Sequence, residues 1–384
     1  MQFRLTGAQV LMADALQDHD LNIAHGRISD QPQSREIDLS GFQILPAIVD
    51  IHGDGFERHL APRRGAMKDL GQGLISADAE LASNGIATAT LAQFYSWEGG
   101  MRGPEFAARF LKAHDKAKPH MLTDTLIQLR FETHMLDHYA AFAELVQAHQ
   151  VPYVVFNDHL PHAALAKGKR PPRLTGQALK GGRSPEAHLA LLQALYARRD
   201  EVPAQLARLA AGFAQNNIRM GSHDDATRAQ RQSFQTMGLT LSEFPETSEA
   251  ATATHDFGGH IILGAPNVVR GGSHSGNVAA QDLIADGLCD ALASDYHYPA
   301  LRQAVFKLSD EAVLSFAAAW ALISSGSAKL LGLTDRGTLS KGQRADFIVL
   351  DPNTRRIEAT FSNGHVSYLA GEAARRFFAL TEAP

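Results

Sequence analysis

The middle of the chain alternates apolar runs of strand length with amphipathic, helix-like stretches, and few folds accommodate that order. Strands that alternate with helices form parallel βα units, and eight such units over about 290 residues are typical of a (β/α)8 TIM barrel. A doubly wound open sheet is the rival fold, but no Gly-x-Gly-x-x-Gly motif follows the first apolar run. The pattern therefore predicts an α/β barrel. The predicted strands are residues 47–53, 88–94, 126–132, 151–158, 218–223, 239–244, 260–265 and 290–295, and the predicted helices include residues 71–83, 105–113, 185–198 and 310–331.

Both ends of the chain have a different, β-rich character. Short apolar runs broken by turn residues occupy residues 1–46, and a similar pattern with a hairpin-like Asn363-Gly364 pair occupies residues 336–384. Chain termini often lie close together in a domain. We therefore predict that the two ends pair into one small β-sandwich domain and that residues 47–335 form the barrel.

The composition limits which binding partners and which cellular compartment are expected. A net charge of −5 gives no reason to expect a nucleic acid or an anionic membrane as a partner. No apolar run reaches the roughly 18 residues that a membrane-spanning helix needs. The single cysteine, Cys289, excludes a disulfide framework and a multi-cysteine metal site, and the first residues do not resemble a signal peptide. We expect a soluble protein of the cytoplasm.

Polar side chains that can bind a metal follow the predicted strands, at the end where a barrel builds its active site. His52 and Asp54 end the first strand two residues apart, so their side chains point to the same side of it. Each such residue alone has an ordinary explanation, such as a helix cap or an exposed side chain, but together they predict a metal site. The residues at the ends of the other strands are Glu132, Asp158, His159, His223, Asp224, Glu243 and Asp295.

The ligand types indicate which metals this site would take. Imidazole and carboxylate ligands together favour Zn²⁺, with Mn²⁺ and Fe²⁺ as alternatives, over ions that prefer oxygen alone. These ligands are consistent with a site for one divalent ion and with a site for two. Asp224 begins a helix, orients His223 as a hydrogen-bond partner of that ligand, or is itself a ligand. For Asp158, His159 and Glu243, the roles of ligand and supporting residue are both open.

Basic and glycine-rich segments beside these strands predict an anionic substrate. A Gly/Ser-rich turn at residues 271–277 follows the seventh strand, where backbone N–H groups can cradle a phosphate, although a plain turn is the alternative. A second basic cluster follows the first strand, and guanidinium groups bind phosphate oxygens in pairs. The cation-rich residues 167–183 are expected to form a long loop, either a lid over a polyphosphate or a plain insertion. The predicted phosphate contacts are Arg58, His59, Arg63, Asn267, Arg270, Gly272, Ser273 and His274.

Several motifs resemble a known family. Residues 45–52, Leu-Pro-Ala-Ile-Val-Asp-Ile-His, resemble the opening of amidohydrolase-superfamily enzymes, and residues 342–351 resemble that superfamily's return to its β-sandwich domain. The resemblance therefore spans the whole chain. Residues 57–63, 222–225 and 294–296, and above all 264–277, Gly-Ala-Pro-Asn-Val-Val-Arg-Gly-Gly-Ser-His-Ser-Gly-Asn, resemble one branch more closely. That branch contains the α-D-ribose 1-methylphosphonate 5-triphosphate diphosphatases of the C–P lyase pathway.

The resemblance implies a metal-dependent hydrolase that cleaves the phosphoanhydride of α-D-ribose 1-methylphosphonate 5-triphosphate and releases pyrophosphate. It implies that Asp295 is both a metal ligand and the acceptor of a proton from the attacking water. A homo-oligomer and contacts with other phosphonate-pathway proteins stay open. The other implied metal ligands are His52, Asp54, Glu132, His159 and His223.

Two other functions remain as alternatives. Residues 52–57 read His-Gly-Asp-Gly-Phe-Glu, whereas the branch has His-Thr-Asp-Asn-Leu-Glu, and this difference leaves the substrate open. The first alternative is an amidohydrolase that acts on a C–N or ester bond of another small anionic substrate. The second is a non-catalytic relative that serves as a binding protein, which would be expected to lack the metal ligands.

Overall fold

A computed structural model describes residues 2–63, 69–272 and 276–379. The strands in these residues fall into an N-terminal group, a middle group and a C-terminal group. The eighteen strands of the described residues are β1 (Phe3–Thr6), β2 (Gln9–Met12), β3 (Ala15–Asp18), β4 (Leu21–Ala24), β5 (Arg27–Ser29), β6 (Glu36–Asp38), β7 (Gln43–Pro46), β8 (Ile48–Gly53), β9 (Ile86–Tyr95), β10 (Asp124–Glu132), β11 (Tyr153–Asn157), β12 (Arg219–His223), β13 (Leu241–Glu243), β14 (His260–Gly264), β15 (Ala291–Ala293), β16 (Phe347–Asp351), β17 (Arg356–Ser362) and β18 (His365–Leu369).

The N- and C-terminal strands together form two sheets. One has the order β5–β4–β1–β6, and the other has the order β18–β17–β16–β7–β2–β3. The C-terminal strand β16 pairs antiparallel with the N-terminal strand β7, with Phe347 opposite Pro46. The core contains Phe3 and Phe377 beside Phe347 and Phe361, whose rings stack with centroids 4.3 Å apart. The prediction that the two ends pair is confirmed, whereas the domain boundaries after residue 46 and before residue 336 stay predictions.

Strands β8 to β15 form one sheet in sequence order. A parallel bridge between Gly53 and Asp295 joins its first and last strands, so the sheet is a nearly closed barrel. Each of the eight predicted strands overlaps one of these strands. The prediction succeeded because such strands are buried on both faces and read as continuous apolar runs; β9, for example, is buried at every position. The (β/α)8 fold is confirmed.

At least one helix lies between each pair of consecutive barrel strands. The predicted helix at residues 71–83 lies within α2, and the segment 167–183, predicted as a loop, contains a helix, α6. The sixteen α-helices of the described residues are α1 (Glu57–Leu60), α2 (Leu70–Ser83), α3 (Pro104–Ala117), α4 (Tyr139–Ala148), α5 (His162–Ala166), α6 (Leu174–Lys180), α7 (Pro185–Ala197), α8 (Val202–Gln215), α9 (Arg228–Thr236), α10 (Ser248–Asp256), α11 (Ala265–Arg270), α12 (Ala280–Ala285), α13 (Ala300–Asp310), α14 (Phe316–Ala321), α15 (Ser325–Leu331) and α16 (Gly371–Phe378).

The single helix predicted for residues 310–331 is wrong, because the chain breaks there twice. Helix α13 ends at Asp310, and Ala312 has a left-handed φ of 55°. Ser315 then begins α14 as its N-cap, since its hydroxyl accepts a hydrogen bond from a backbone N–H of the first turn. Helix α15 starts only at Ser325.

The chain divides into two compact units. The first comprises Met1–Thr90, Ala117–Thr125 and Ile262–Pro384, and the second comprises Leu91–Lys116 and Leu126–Ile261. The first unit contains the β-sandwich, and the second contains β11, β12 and β13 with the helices that follow them. In the part of the chain that the structure describes, no helix is long and apolar enough to cross a membrane.

A buried ion pair fixes two strand ends within the second unit. Arg231 of α9 and Asp225, which follows β12, are both fully buried, with an N···O distance of 3.2 Å. The same carboxylate oxygen of Asp225 accepts hydrogen bonds from the hydroxyls of Ser222 on β12, at 2.6 Å, and Ser242 on β13, at 2.7 Å. The network therefore holds together the ends of β12 and β13, where predicted site residues lie.

This network predicts a large loss of stability when its cation is removed. Arg231→Met should lower the free energy of unfolding by about 3–5 kcal/mol, because it leaves the Asp225 charge buried without its partner. Urea unfolding followed by circular dichroism measures the change. Arg228→Met is the control: Arg228 lies on the same helix and pairs with Asp256 at 2.8 Å, but both side chains are exposed, so about 1 kcal/mol or less is expected. Equal losses in the two variants would contradict the prediction.

Candidate active site

Backbone hydrogen bonds bring three of the predicted residues together in the first unit. The N–H of Asp54 donates to the carbonyl of Asp295 at 2.9 Å, and the N–H of Asp295 donates to the carbonyl of His52 at 3.1 Å. His52 is fully buried, whereas Asp54 and Asp295 are half-buried. The joined ends of β8 and β15 therefore carry all three residues.

Asp50 is a buried acid in the same place that the sequence analysis did not select. Its carboxylate accepts hydrogen bonds from the backbone N–H of Ser294 at 3.0 Å and from the hydroxyl of Ser294 at 2.5 Å. Burial raises the pKa of Asp50 to about 6, against the lowering effect of these hydrogen bonds. Its position two residues before His52, on the same side of β8, is the signal that could have identified it.

In the second unit, Glu132 and His159 form a tight pair. Glu132 ends β10 and is fully buried. Its carboxylate accepts hydrogen bonds from Nδ1 of His159 at 2.5 Å, from the backbone N–H of His159 at 3.1 Å and from the indole N–H of Trp97 at 3.2 Å. A carboxylate that holds one ring nitrogen of a histidine fixes the orientation of the other nitrogen, as is common beside metals.

The other nitrogen of His159 faces the residues that end β12. Its Nε2 lies 3.5 Å from a carboxylate oxygen of Asp224, and the same oxygen lies 3.1 Å from Nδ1 of His223. The candidate ligand atoms of these three residues all lie within 4.8 Å of one another. Two imidazoles and one carboxylate are a donor set that suits zinc and related ions. Asp224, which the sequence left open, contacts both imidazoles and does not cap the next helix, whose N-cap is Thr227.

The charges in this cluster are strongly coupled. Burial acts to lower the pKa of His159, but the Glu132 carboxylate and the hydrogen bond with Asp224 raise it to about 10. Burial acts to raise the pKa of Asp224, but the imidazoles of His223 and His159 lower it well below the usual range. Burial lowers the pKa of His223. The carboxylate of Asp224 is therefore ionised.

Arg130 is a further residue of this cluster that the sequence analysis did not assign to the site. One of its terminal nitrogens lies 2.9 Å from Nε2 of His223, and its guanidinium stacks on the Phe94 ring with 3.9 Å to the ring centroid. Arg130 lies two residues before Glu132 on β10, so both side chains point to the same face. That spacing is the signal that was available in the sequence.

Glu243 has a candidate ligand atom within 4.8 Å of one of His223, whereas Asp158 contacts other residues. The carboxylate of Glu243 accepts hydrogen bonds from the amide of Gln128 and from the hydroxyl of Tyr153, each at 2.7 Å. Asp158 instead contacts His162, at 2.8 Å, and His134, at 3.3 Å. The choice between ligand and supporting residue stays a prediction for both acids.

Three residues that follow barrel strands have a left-handed backbone, which is costly for residues other than glycine. Asp224, Phe244 and Asp295 follow β12, β13 and β15 with φ of 59°, 54° and 55°. Two of the three are predicted site residues. Backbone of this kind can mark a functional site, but seven other non-glycine residues of the described chain also have a positive φ.

The predicted phosphate contacts near α1 have protein partners. Arg58 forms an ion pair with Glu80 of α2 and donates a hydrogen bond to the carbonyl of Tyr296 at 3.0 Å. Nε2 of His59 lies 2.5 Å from the same Glu80 carboxylate. Arg63 is exposed. A role of these residues in phosphate binding stays a prediction.

The predicted phosphate contacts after β14 are held by α11. Arg270, the last residue of that helix, donates a hydrogen bond to the hydroxyl of Tyr296 at 2.8 Å. The Asn267 side chain bonds the backbone of residues 278 and 280. The N–H of Gly272 donates to the carbonyl of Asn267. Ser273 and His274 lie outside the described residues.

A match to the model of a known protein family shows which family the chain belongs to. The model described as "Amidohydrolase family" matches residues 79–367. The chain belongs to the amidohydrolase family. A relative, the α-D-ribose 1-methylphosphonate 5-triphosphate diphosphatase of Escherichia coli (strain K12), is 29% identical to this amidohydrolase over 372 residues, which cover 90% of this chain and 94% of the relative. The resemblance to the amidohydrolase superfamily that the sequence analysis found is confirmed. The chain is therefore a hydrolase.

Solved structures support the same fold. The β-aspartyl dipeptidase of Fervidobacterium islandicum AW-1 superposes on this amidohydrolase with a TM-score of 0.61 at 14% identity, covering 96% of this chain and 97% of the dipeptidase. The N-acetylglucosamine-6-phosphate deacetylase of Pasteurella multocida superposes with a TM-score of 0.60 at 12% identity, covering 95% and 99% of the two chains.

The cluster of His159, His223 and Asp224 predicts metal binding that depends on His223. His223→Ala should weaken Zn²⁺ binding to this amidohydrolase by at least about 100-fold, the upper end of what loss of an outer hydrogen-bond partner costs. Titration calorimetry of the metal-free protein measures the affinity. His255→Ala, which removes an exposed imidazole from α10, should bind like the unmodified protein. An unchanged affinity in His223→Ala would refute this role.

Proposed function

We propose that this hydrolase is an α-D-ribose 1-methylphosphonate 5-triphosphate diphosphatase that releases pyrophosphate and leaves ribose 1-methylphosphonate 5-phosphate. The observation that carries the proposal is the similarity to the Escherichia coli diphosphatase over 94% of that relative's length. The motif at residues 264–277, which resembles the same branch, supports it. The substrate would be a small anionic phosphorylated molecule.

The residues of the second unit fit the divalent ion that this chemistry requires. His159, His223 and Asp224 offer two imidazoles and a carboxylate within 4.8 Å of one another, and Glu132 orients His159. Zn²⁺ matches this donor set best, with Mn²⁺ and Fe²⁺ as alternatives. A divalent ion supplies Lewis acidity, which lowers the pKa of water and polarises a phosphoryl oxygen. Further ligands predicted from the sequence are His52, Asp54, Glu132 and Asp295.

The protein's own side chains would do the remaining work. Asp295, held by the backbone of His52 and Asp54, would accept the proton of the attacking water. Arg270 would bind phosphate oxygens and stabilise the negative charge that develops on the leaving pyrophosphate. The hydroxyl of Tyr296 accepts a hydrogen bond from Arg270 and so positions its guanidinium.

Phosphorus NMR tests the proposed reaction directly. Metal-loaded protein incubated with α-D-ribose 1-methylphosphonate 5-triphosphate should produce the ³¹P resonance of pyrophosphate, and a chelator should abolish its appearance. Intact triphosphate, in a sample shown to contain the metal, would overturn the diphosphatase. Amides, esters and lactones with an anionic group would then be the substrates to screen.

Asp295 is predicted to be essential for turnover but not for folding. Asp295→Asn should lower kcat by about 10²- to 10⁴-fold, because the amide cannot accept the proton. Its circular dichroism spectrum should match that of the unmodified protein. Asp286→Asn makes the same chemical change at an exposed position after α12 and should retain full activity. An Asp295→Asn variant with most of its activity would exclude this role.

Arg270 is predicted to act in phosphate binding. Arg270→Met should raise KM for the triphosphate by about 10- to 100-fold, the loss expected for a hydrogen bond between charged groups. Steady-state kinetics of pyrophosphate release measures it. Arg208→Met removes an exposed arginine of α8 and should leave KM unchanged. An unchanged KM in Arg270→Met would remove Arg270 from the substrate site.

A further inference from the structure

A further group of metal-competent side chains combines Asp158, whose role was left open above, with two histidines that were not assigned to the active site, His134 and His162. Nε2 of His162 lies 2.9 Å and 2.8 Å from the two carboxylate oxygens of Asp158. Nδ1 of His134 lies 3.3 Å from one of the same oxygens, and the two imidazole rings lie 5.0 Å apart between centroids. Two imidazoles therefore contact one carboxylate.

The backbone fixes the positions of these three residues. His134 follows β10 and Asp158 follows β11, and these strand ends are joined by a hydrogen bond of 2.9 Å from the N–H of Thr133 to the carbonyl of Asn157. His162 is the first residue of α5. Its position four residues after Asp158 returns its imidazole to that carboxylate. The His134 side chain is only 5% exposed, so its approach to Asp158 is set by packing.

We propose that His134, Asp158 and His162 form a second binding site for Zn²⁺ or a related transition-metal ion. One candidate ligand atom from each residue lies within 4.8 Å of the others. Two ligand atoms that are each about 2.0–2.1 Å from a tetrahedral zinc ion lie roughly 3.3 Å apart. The distance from Nδ1 of His134 to the Asp158 carboxylate already has that value. The distance from Nε2 of His162 to the same carboxylate, now 2.8 Å, would have to increase to it. The site shares no residue with the cluster of His159, His223 and Asp224.

The competing explanation is a purely hydrogen-bonded group. Asp158 would then be an ionised acceptor between two imidazoles, and a proton would occupy the position that the metal needs. Both explanations involve the same side-chain atoms, but these atoms hold a metal ion in the first and a proton in the second. Only the metal site takes up a zinc ion that is lost when one imidazole is removed.

One residue of this site, His134, also lines a cavity. It has a volume of about 550 Å³, and its lining includes His134, Trp97 and Arg183. Three protein ligands leave one position of a tetrahedral zinc ion for water or for a ligand in the cavity. Arg183 lies on the same wall, where its guanidinium donates hydrogen bonds to the carbonyls of Trp97 and Glu98 at 2.8 Å and 3.2 Å.

Zinc stoichiometry tests the proposal on the intact protein. Metal-free protein is dialysed against Zn²⁺, and the bound zinc per chain is counted by mass spectrometry of the digested sample. His162→Ala is the main variant, because its side chain is 41% exposed and its loss leaves the core intact. His149→Ala is the matched control: this histidine also pairs with a carboxylate, that of Asp115 at 2.7 Å, but it belongs to none of the candidate metal-binding groups found among the described residues.

The expected result is that His162→Ala binds one zinc ion fewer per chain than the unmodified protein and His149→Ala. His134→Ala, once shown by circular dichroism to be folded, should lose the same single ion. Equal zinc content in His162→Ala and the unmodified protein would overturn the proposal. The count does not depend on the triphosphate being the substrate. A negative result in the diphosphatase assay and a negative result in the zinc count can therefore be told apart.

Discussion

The contact between Glu132 and His159 is the interaction on which the candidate site depends. A fully buried carboxylate is costly unless a partner compensates its charge. At Glu132 the imidazole and backbone N–H of His159 and the indole of Trp97 provide that compensation. The same contact ties the end of β10 to the residues after β11 and directs the other nitrogen of His159 towards Asp224. The contact between Glu132 and His159 thus both stabilises the buried carboxylate and orients a nitrogen that can bind a metal.

Other strand ends follow the same rule, and each buried acid there has its own partner. Asp50 is held by Ser294, and Asp225 by Arg231 and two serine hydroxyls. Buried acids of this kind stabilise a fold less than apolar packing does, so their concentration at the carboxyl ends of the strands needs another explanation. In a (β/α)8 barrel that end carries the chemistry. The left-handed backbone of Asp224 and Asp295 is a second cost at the same positions.

The barrel could be predicted from the sequence because strands buried on both faces leave continuous apolar runs, as at β9. Residues next to a strand end were also accessible, since His223 ends the predicted strand 218–223 and Asp224 follows it directly. Contacts between side chains from different loops were not accessible. The pairing of His134 and His162 with Asp158, and of Arg58 with Glu80, depends on how loops and helices pack. The break before Ser315 was missed because the alanine-rich residues 316–321 that follow it favour a helix regardless of a local cap.

The central claim is that the residues ending β10, β11 and β12 hold the catalytic metal. Anomalous diffraction from crystals of the zinc-loaded protein, measured above and below the zinc absorption edge, tests it most directly. The account predicts a zinc peak bounded by His159, His223 and Asp224. A map in which zinc peaks appear elsewhere, with none at these three residues, would contradict it.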